Sequence, residues 1–428
     1  MSTTEAQLQV CFVARQTKHV VPSTPIVVPA HLKRYGLSQI INHILSLEKP
    51  VPFDFLIDGV FLRGSLESQL REKNISMEDV VDIEYVESML PPKPLATIAQ
   101  DDWISSVLVI DNTKFLTGSY DGALRVWNSS KECEQTAKVH DGPVKCVSTV
   151  ATSTSQDGSA VIYSGSQDQS AISWEFRDDK FVPVYKALGH TGSIDSISVN
   201  SQNTHFITAS SDSTLKIWSS SVPSTSEVEV DSVPKSKKAK HASQVELITK
   251  AALSTCTGHV GGVTSTLFDR SDDKKAFSCG WDHSIRTWDM ETCTNVSTKA
   301  CDKVCLALDH SLHNGLLATG HADSVIRLWD SRDSGASMVK MSLTGHKGWV
   351  SSLQWSPSSK YILASASHDG TLNIWDIRST SPVYSIKPED SKDQSGETQR
   401  LLALTWAQNF IAIGGQSGKL GIYETNYS

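Results

Sequence analysis

The sequence predicts a mainly β chain in which one unit repeats seven times, preceded by a separate small α+β domain. Three observations predict it. A ten-residue frame recurs seven times from Gly118 onward, residues from about 7 to 90 lack that frame, and the stiff, proline-rich "LPPKP" at Leu90 separates the two parts.

The first part reads as strands around one helix. "LQVCFVA" and "TPIVVPA" are rich in β-branched residues and predict two strands. Ser38 is expected as the N-cap of a helix whose Ile40, Ile41, Ile44 and Leu45 form one apolar face. "FDFLIDGVFL" predicts two strands around the Asp58-Gly59 turn, and "SLESQLREKN" a short helical or turn segment. In "NISMEDVVDIEYVES" the alternation of Val81, Ile83 and Tyr85 predicts a half-buried last strand, which leaves Glu78 and Asp79 in water at its entrance. Glu67, Glu72, Asp82, Glu84 and Glu87 surround them, and each taken singly also suits a solvated face. This order of hairpin, helix and further strands resembles ubiquitin-like folds, with the domain placed at 7–90.

The repeated frame is "GSYDGALRVW", returning as "GSQDQSAISW", "ASSDSTLKIW", "CGWDHSIRTW", "GHADSVIRLW", "ASHDGTLNIW" and "GGQSGKLGIY". In six copies an Asp (Asp121, Asp168, Asp212, Asp282, Asp323, Asp369) precedes a Trp (Trp127, Trp174, Trp218, Trp288, Trp329, Trp375) by six positions; the seventh has Ser417 and Tyr423. Each frame is a short strand, a tight turn and a second strand of alternating apolar residues, which is a β-hairpin. Upstream stand "GHTGSIDSI" at Gly189, "GHVGGVTS" at Gly258, "GHKGWVSSL" at Gly345 and the weaker "VHDGPVKCV" at Val139. Together these motifs resemble the WD40 repeat. That resemblance implies an all-β seven-bladed WD40 β-propeller over 95–428, after a linker at 91–94. It also implies structural pairs of His190 with Asp212, His259 with Asp282 and His346 with Asp369, since a buried carboxylate needs a donor.

Counting strands raises the question of closure. After Tyr423 only "ETNYS" remains, too little for another strand, so "LATIA" at 95–99 is expected to complete the seventh blade and leave no free edge. Between Trp218 and Trp288 lie 70 positions, against neighbouring spacings of 44 and 41. The surplus is a Ser-, Pro- and charge-rich insert at about 220–250, expected to be flexible. Lys235, Lys237, Lys238 and Lys240 within it suit a nuclear-import cluster or a merely solvated loop. A second insert, "PEDSKDQSGETQR" from Pro388, separates blades six and seven.

Composition narrows the function classes. The 428 residues are 39% hydrophobic, and no run of about 18 apolar residues marks a membrane span. The start "MSTTEAQLQV" has no signal-peptide pattern, so neither secretion nor a membrane partner is expected. A formal charge of -8 argues against a globally basic surface, while a local patch stays open. Eight cysteines contain no Cys-x-x-Cys, which favours buried thiols over zinc. Neither a Gly-x4-Gly-Lys-Ser/Thr loop nor a metal-spaced His pair occurs, so no enzyme, no catalytic residue, no cofactor and no small-molecule substrate is expected.

A ubiquitin-like domain, the segments "LKRYGLSQIINHIL", "PVPFDFLIDG" and "DDWISS", and seven blades with a long insert after the third resemble the WD-repeat large-subunit (60S) ribosome assembly factors of the PeBoW complex. The Notchless family shares the domain plan but carries more repeats. The resemblance spans the chain and implies work in pre-rRNA processing in the nucleolus and nucleoplasm. It implies as partners the block-of-proliferation WD protein, Pescadillo, the pre-60S particle and the AAA ATPase midasin. It further implies that Glu78, with Asp79 as the rival ligand, meets the Mg²⁺ of midasin's metal site, since a hard cation with an open position takes an exposed carboxylate. Trp103, Trp281 and Trp349 are candidates for docking or for blade packing. The rival reading is a WD substrate receptor of cullin-4 ubiquitin ligases, on Arg332 of "WDSR" and Arg378 of "WDIR". One expectation is directly testable: the 220–250 loop fused to a fluorescent reporter should carry it into nuclei, and cytoplasmic retention would count against the import reading.

Overall fold

The computed structural model describes residues 6–14, 19–47, 49–77, 79–111, 113–149, 160–177, 180–223, 247–332, 339–388, 396–407 and 409–425. Glu78 and the four insert lysines, Lys235, Lys237, Lys238 and Lys240, lie outside the described residues. The chain divides into two compact units, one built mainly on the first 91 residues and one on the remainder.

The first unit is a five-stranded sheet with two helices. Its elements are β1 (Gln7–Ala14), β2 (Ile26–Pro29), α1 (Arg34–Ile44), β3 (Phe53–Ile57), β4 (Val60–Phe61), α2 (Leu66–Glu72) and β5 (Val81–Glu87). The strand order is β2-β1-β5-β3-β4, with β1 and β5 parallel at the centre. Alternation decides the core: Leu8, Val10 and Phe12 of β1 and Val81, Ile83 and Tyr85 of β5 point to the same buried face. Leu37 and Ile41 of α1 and Leu66 and Leu70 of α2 pack onto it. The β3–β4 turn puts Asp58 at φ 50° and Gly59 at φ 70°, the left-handed pair that a two-residue hairpin needs.

One expectation fails here. Ser38 does not cap the helix; α1 begins at Arg34, and Ser38 is buried inside it. Its Oγ accepts from Phe53 N–H at 3.1 Å and donates to Val51 O at 3.3 Å. One turn on, Asn42 donates to Val51 O at 2.7 Å and accepts from Val51 N–H at 2.8 Å. Both polar side chains serve the backbone entering β3, and that demand outweighs the capping preference of an isolated Ser. Ser65 is a true cap, accepting from Ser68 N–H at the start of α2.

The second unit contains seven antiparallel four-stranded sheets, one of which carries an added fifth strand. In six of them the strands run in chain order from an innermost to an outer one. The seventh joins Leu401–Ala407, Phe410–Gly415 and Lys419–Glu424 to β6 (Lys93–Ala99), through pairs from Lys419↔Ala99 to Glu424↔Lys93. The first strand after the linker therefore completes the last blade.

The innermost strands of neighbouring blades are joined by side chains. Val147 N–H donates to Ser106 Oγ at 2.9 Å between blades one and two, and Thr266 N–H to Ser196 Oγ at 3.1 Å between three and four. Thr264 Oγ1 donates to Cys305 O at 2.7 Å between four and five, and Ser351 Oγ to Leu401 O at 2.8 Å between six and seven. Between five and six the buried carboxylate of Asp309 accepts from Trp355 N–H at 2.7 Å and from Arg270 of blade four at 2.9 Å. These short polar side chains line the central channel and satisfy backbone that no ladder reaches.

The extra strand corrects the reading of the long insert. Ile248–Lys250, at its C-terminal end, pairs in parallel with Tyr185–Ala187 on the outer edge of blade two. Lys250 lies over the Tyr185 ring at 4.9 Å and donates to Ser221 O, so the two ends of the insert are tied together. Blade three then takes its outer strand, Ser254–Thr257, from beyond the insert.

Closure by β6 is testable. Truncation before Leu401 removes three strands of the seventh sheet and leaves Ile98, 4% exposed, without its sheet. The whole second unit should lose its cooperative melt. Ile98→Asp in the intact chain should cost several kcal/mol, read as a drop in denaturant midpoint, and an unchanged melt of either protein would refute the closure argument.

Candidate functional site

Two constellations stand out: the acidic turn of the first unit and the hydrogen-bond chains inside the blades. The turn is held by what precedes and follows it. Helix α2 ends with Asn74 in the left-handed region at φ 55°, and Ile75 N–H returns to Leu70 O at 3.0 Å. Lys73 anchors the same end by donating to Ile57 O at 2.6 Å and Asp58 O at 2.9 Å. Ile75 and Met77 pack against the core, and Val81, 5% exposed, enters β5 opposite Val10. Apolar anchors thus stand at Met77 and Val81, and Asp79 is exposed.

The surrounding acids are not equivalent. Glu67 is engaged with Arg71 at 2.6 Å, so it contributes less to the local field than its sequence position suggests. Glu72 and Asp82 are exposed, while Glu84 and Glu87 are half-buried on β5. Among the described residues no group of three or more His, Cys, Asp or Glu side chains is placed to hold a metal ion.

Inside the blades the histidines complete directional chains. Trp218 Nε1–H donates to Thr208 Oγ1 at 2.9 Å, Thr208 Oγ1 lies 2.7 Å from His190 Nε2, and His190 Nδ1 lies 2.8 Å from Asp212 Oδ2. The carboxylate can only accept, so Nδ1 carries a proton, and with the imidazole kept neutral by burial the Thr208 hydroxyl, already accepting from the indole, donates to Nε2. Blade four repeats this with Trp288, Ser278, His259 and Asp282, the His259–Asp282 distance being 2.7 Å. In blade six His346 Nδ1 is 3.2 Å from Asp369 Oδ2 and Nε2 is 2.7 Å from Ser365 Oγ.

Burial pushes the His190 and His259 imidazoles below the ordinary histidine range, against the opposing pull of Asp212 and Asp282. Burial disfavours the Asp212 carboxylate too, but the Thr214 hydroxyl and His190 outweigh it and hold the acid down at about 2. Each member faces another member of its own chain, which is architecture rather than catalysis.

Sequence reasoning missed three variants. His140 and Asp168, 2.9 Å apart, form a full chain in blade two with Ser164 and Trp174; the weak "VHDG" was the available signal. In blade one Gln100 replaces the histidine, accepting from Thr117 Oγ1 at 3.0 Å, and Asp121 pairs with Arg125. In blade five the imidazole comes from His321, at the end of the second strand, with Nε2 2.8 Å from Thr319 Oγ1 and Nδ1 3.3 Å from Lys303 O. Asp323 then turns to Arg327, at 2.6 Å.

Comparison with known proteins places the chain. Residues 8–70 match the NLE (NUC135) domain, and 92–128, 131–175, 181–219, 250–289, 293–330 and 338–376 match the WD domain, G-beta repeat. The seventh sheet's three C-terminal strands, with Ser417 and Tyr423 in place of Asp and Trp, lie outside the matched stretches. The ribosome biogenesis protein WDR12 homolog of Nematostella vectensis is 36% identical over 425 residues, covering 97% of this chain and 99% of that protein. This chain belongs to the WDR12/YTM1 family of ribosome biogenesis proteins. The YTM1 proteins of Candida glabrata and Saccharomyces cerevisiae S288c are 35% and 34% identical over 99% of the chain and 98% of their own length. The family is a non-enzymatic WD-repeat one, and the family resemblance read from the sequence is borne out. The NLE match ends before residue 78, so it carries no information about the acidic turn.

The blade-five variant gives a pH prediction. Burial, reinforced by Arg327, lowers the His321 imidazole to about 4, whereas the unfolded chain titrates near 6.5. The unfolded state therefore binds more protons between those values, and the His321 contribution, complete above about pH 6.5, is lost as pH falls toward 4. The loss runs at up to about 1.4 kcal/mol per pH unit. His321→Ser, the residue blades one, two, three and six carry at this position, should flatten the dependence of the denaturant midpoint on pH; an unchanged slope would contradict the assignment.

Proposed function

We propose that this chain is a non-enzymatic assembly factor of the large (60S) ribosomal subunit that serves as the handle by which a PeBoW complex is pulled from the pre-60S particle. In this reading the propeller docks onto the block-of-proliferation WD protein, with Pescadillo as third member. The ubiquitin-like domain presents Glu78 to the Mg²⁺ of midasin, and ATP-driven movement of midasin releases the assembly. The chain supplies no cofactor of its own. It acts in pre-rRNA processing in the nucleolus and nucleoplasm, and the cluster Lys235, Lys237, Lys238 and Lys240 serves import.

The full-length similarity to ribosome biogenesis proteins carries the reading. The anchored turn adds support. A trans ligand for a hard cation has to be exposed on firm backbone, and the packed Met77 and Val81 and the exposed Asp79 on either side of that position support the reading. In the cullin-4 reading both arginines pair with the Asp two positions before them, Arg332 with Asp330 at 3.1 Å and Arg378 with Asp376, and of the two only the Arg332 side chain is exposed, at 72%.

Calorimetry of the full chain with midasin's metal-site domain tests this, with Mg²⁺ and with chelator. Binding should need the metal, fall at least tenfold in Glu78→Ala and fall less in Asp79→Ala. Metal-independent binding, or equal loss in the two variants, would return the turn to a solvated role.

A further inference from the structure

A single geometric rule generates a ring on one face of the propeller. In every blade the residue just before the innermost strand accepts, through its carbonyl, the backbone N–H of the residue at the start of the next hairpin turn. The seven pairs are Trp103 with Tyr120, Pro143 with Gln167, Ser193 with Ser211, Gly262 with Trp281, Val304 with Ala322, Trp349 with His368 and Arg400 with Gln416, at 2.9–3.2 Å. These are equivalent positions, so their side chains can be compared directly around the ring.

Three consecutive blades hold an unusual set. Blade six presents Trp349 stacked on His368, with centroids 5.6 Å apart and planes 23° apart. Blade seven presents Arg400, and blade one Trp103 edge-on to Tyr120 at 5.4 Å. Lys145 of blade two lies over the Tyr120 ring at 4.6 Å. The indoles are not packing residues: Trp349 is 44% and Trp103 42% exposed, whereas the six repeat tryptophans are at most 7% exposed. Lys347, Arg400, Trp349 and His368 line an open cleft of about 780 Å³. Burial and the neighbouring Arg400 charge push His368 below the ordinary histidine range, so it offers a neutral ring.

Aromatic planes alternating with cations are what single-stranded nucleic acid recognises: bases stack on the rings and the backbone follows the charges. We infer that the strip Trp349, His368, Arg400, Trp103, Tyr120 and Lys145 takes single-stranded RNA. The aromatic rings favour this over an acidic peptide. These blades carry Lys145, Lys347 and Arg400 alongside the acids Asp101, Asp141 and Glu397, while Asp102 is turned onto the N–H of Trp103 at 2.7 Å. A polyacidic segment would depend on that near-neutral balance alone, whereas RNA adds base stacking on the rings of Trp349, His368, Trp103 and Tyr120 to its phosphate contacts. This inference goes beyond the handle reading and does not depend on it.

Anisotropy of a labelled, unstructured 12-nucleotide RNA titrated with the full-length protein tests it. Wild type should bind, and Trp349→Ala and Trp103→Ala should each weaken binding by roughly fivefold or more. Trp281→Ala, which removes an indole 52% exposed on the same ring but outside the strip, should change it less than twofold. With the strip's cations limited to Arg400 and Lys145, the latter also donating to Tyr120 Oη at 3.2 Å, the log–log salt slope should be shallow, about −1 to −2. Unchanged melting of all three variants separates contact from folding. No binding by wild type would overturn the inference, as would equal loss in the three variants. So would displacement of the RNA by a glutamate-rich peptide as readily as by unlabelled RNA, or a response of the two tryptophans to the block-of-proliferation propeller and not to RNA.

Discussion

The pairing of Lys93–Ala99 with Lys419–Glu424 is the constraint on which the second unit depends. Seven sheets arranged radially bury their faces only against one another, and an open arc would leave two apolar faces in water. Sharing one blade between the two ends of the repeat region removes both. It ties the two ends of the repeat region to each other, because blades one and six each lose a neighbour once the shared sheet separates.

Within that ring the energetics fall into two layers. Six repeat tryptophans are buried, and truncating such a residue typically costs on the order of 3–5 kcal/mol. The indole brings an N–H into the core, and the Ser or Thr of the second strand, the histidine and the turn Asp relay it outward. Each link satisfies the one before, so loss of one hydroxyl strands two polar groups. Nearer the axis, Ser106, Ser196, Thr264, Ser351 and Asp309 join blade to blade where no ladder runs. The turn and loop residues outside both layers, Trp103, Trp281, Trp349 and Arg400 among them, are free to vary between blades.

Much was legible in the sequence because local chemistry and global role coincide. Asp six positions before Trp marks a hairpin in any context, and the alternation in β1 and β5 marks a buried face. Where a residue's role is set by a distant segment, local reading failed. Ser38 has the chemistry of a cap, but the backbone at Val51 and Phe53 claims it. Ile248–Lys250 reads as the tail of a polar insert, but the unpaired edge at Tyr185–Ala187 makes it a strand. His321 falls outside the Gly-His pattern, and only folding brings it to Thr319 and Lys303 O. For the acidic turn, the sequence supplied Glu78 and Asp79, and the structure supplied the anchors Met77 and Val81.

By itself, then, the sequence determined the unit that repeats, the number of copies and the separate domain ahead of them, because hydrophobic period and turn chemistry are properties of neighbouring residues. Tertiary structure alone decided which polar side chains are architecture and which face solvent. His190 and Trp349 both stand in "GH" segments of the same kind, yet one is sealed into a hydrogen-bond chain and the other is left open on the ring. The difference is the direction in which each side chain leaves a turn whose geometry is fixed by contacts with distant residues, Asp212 for His190 and His368 for Trp349.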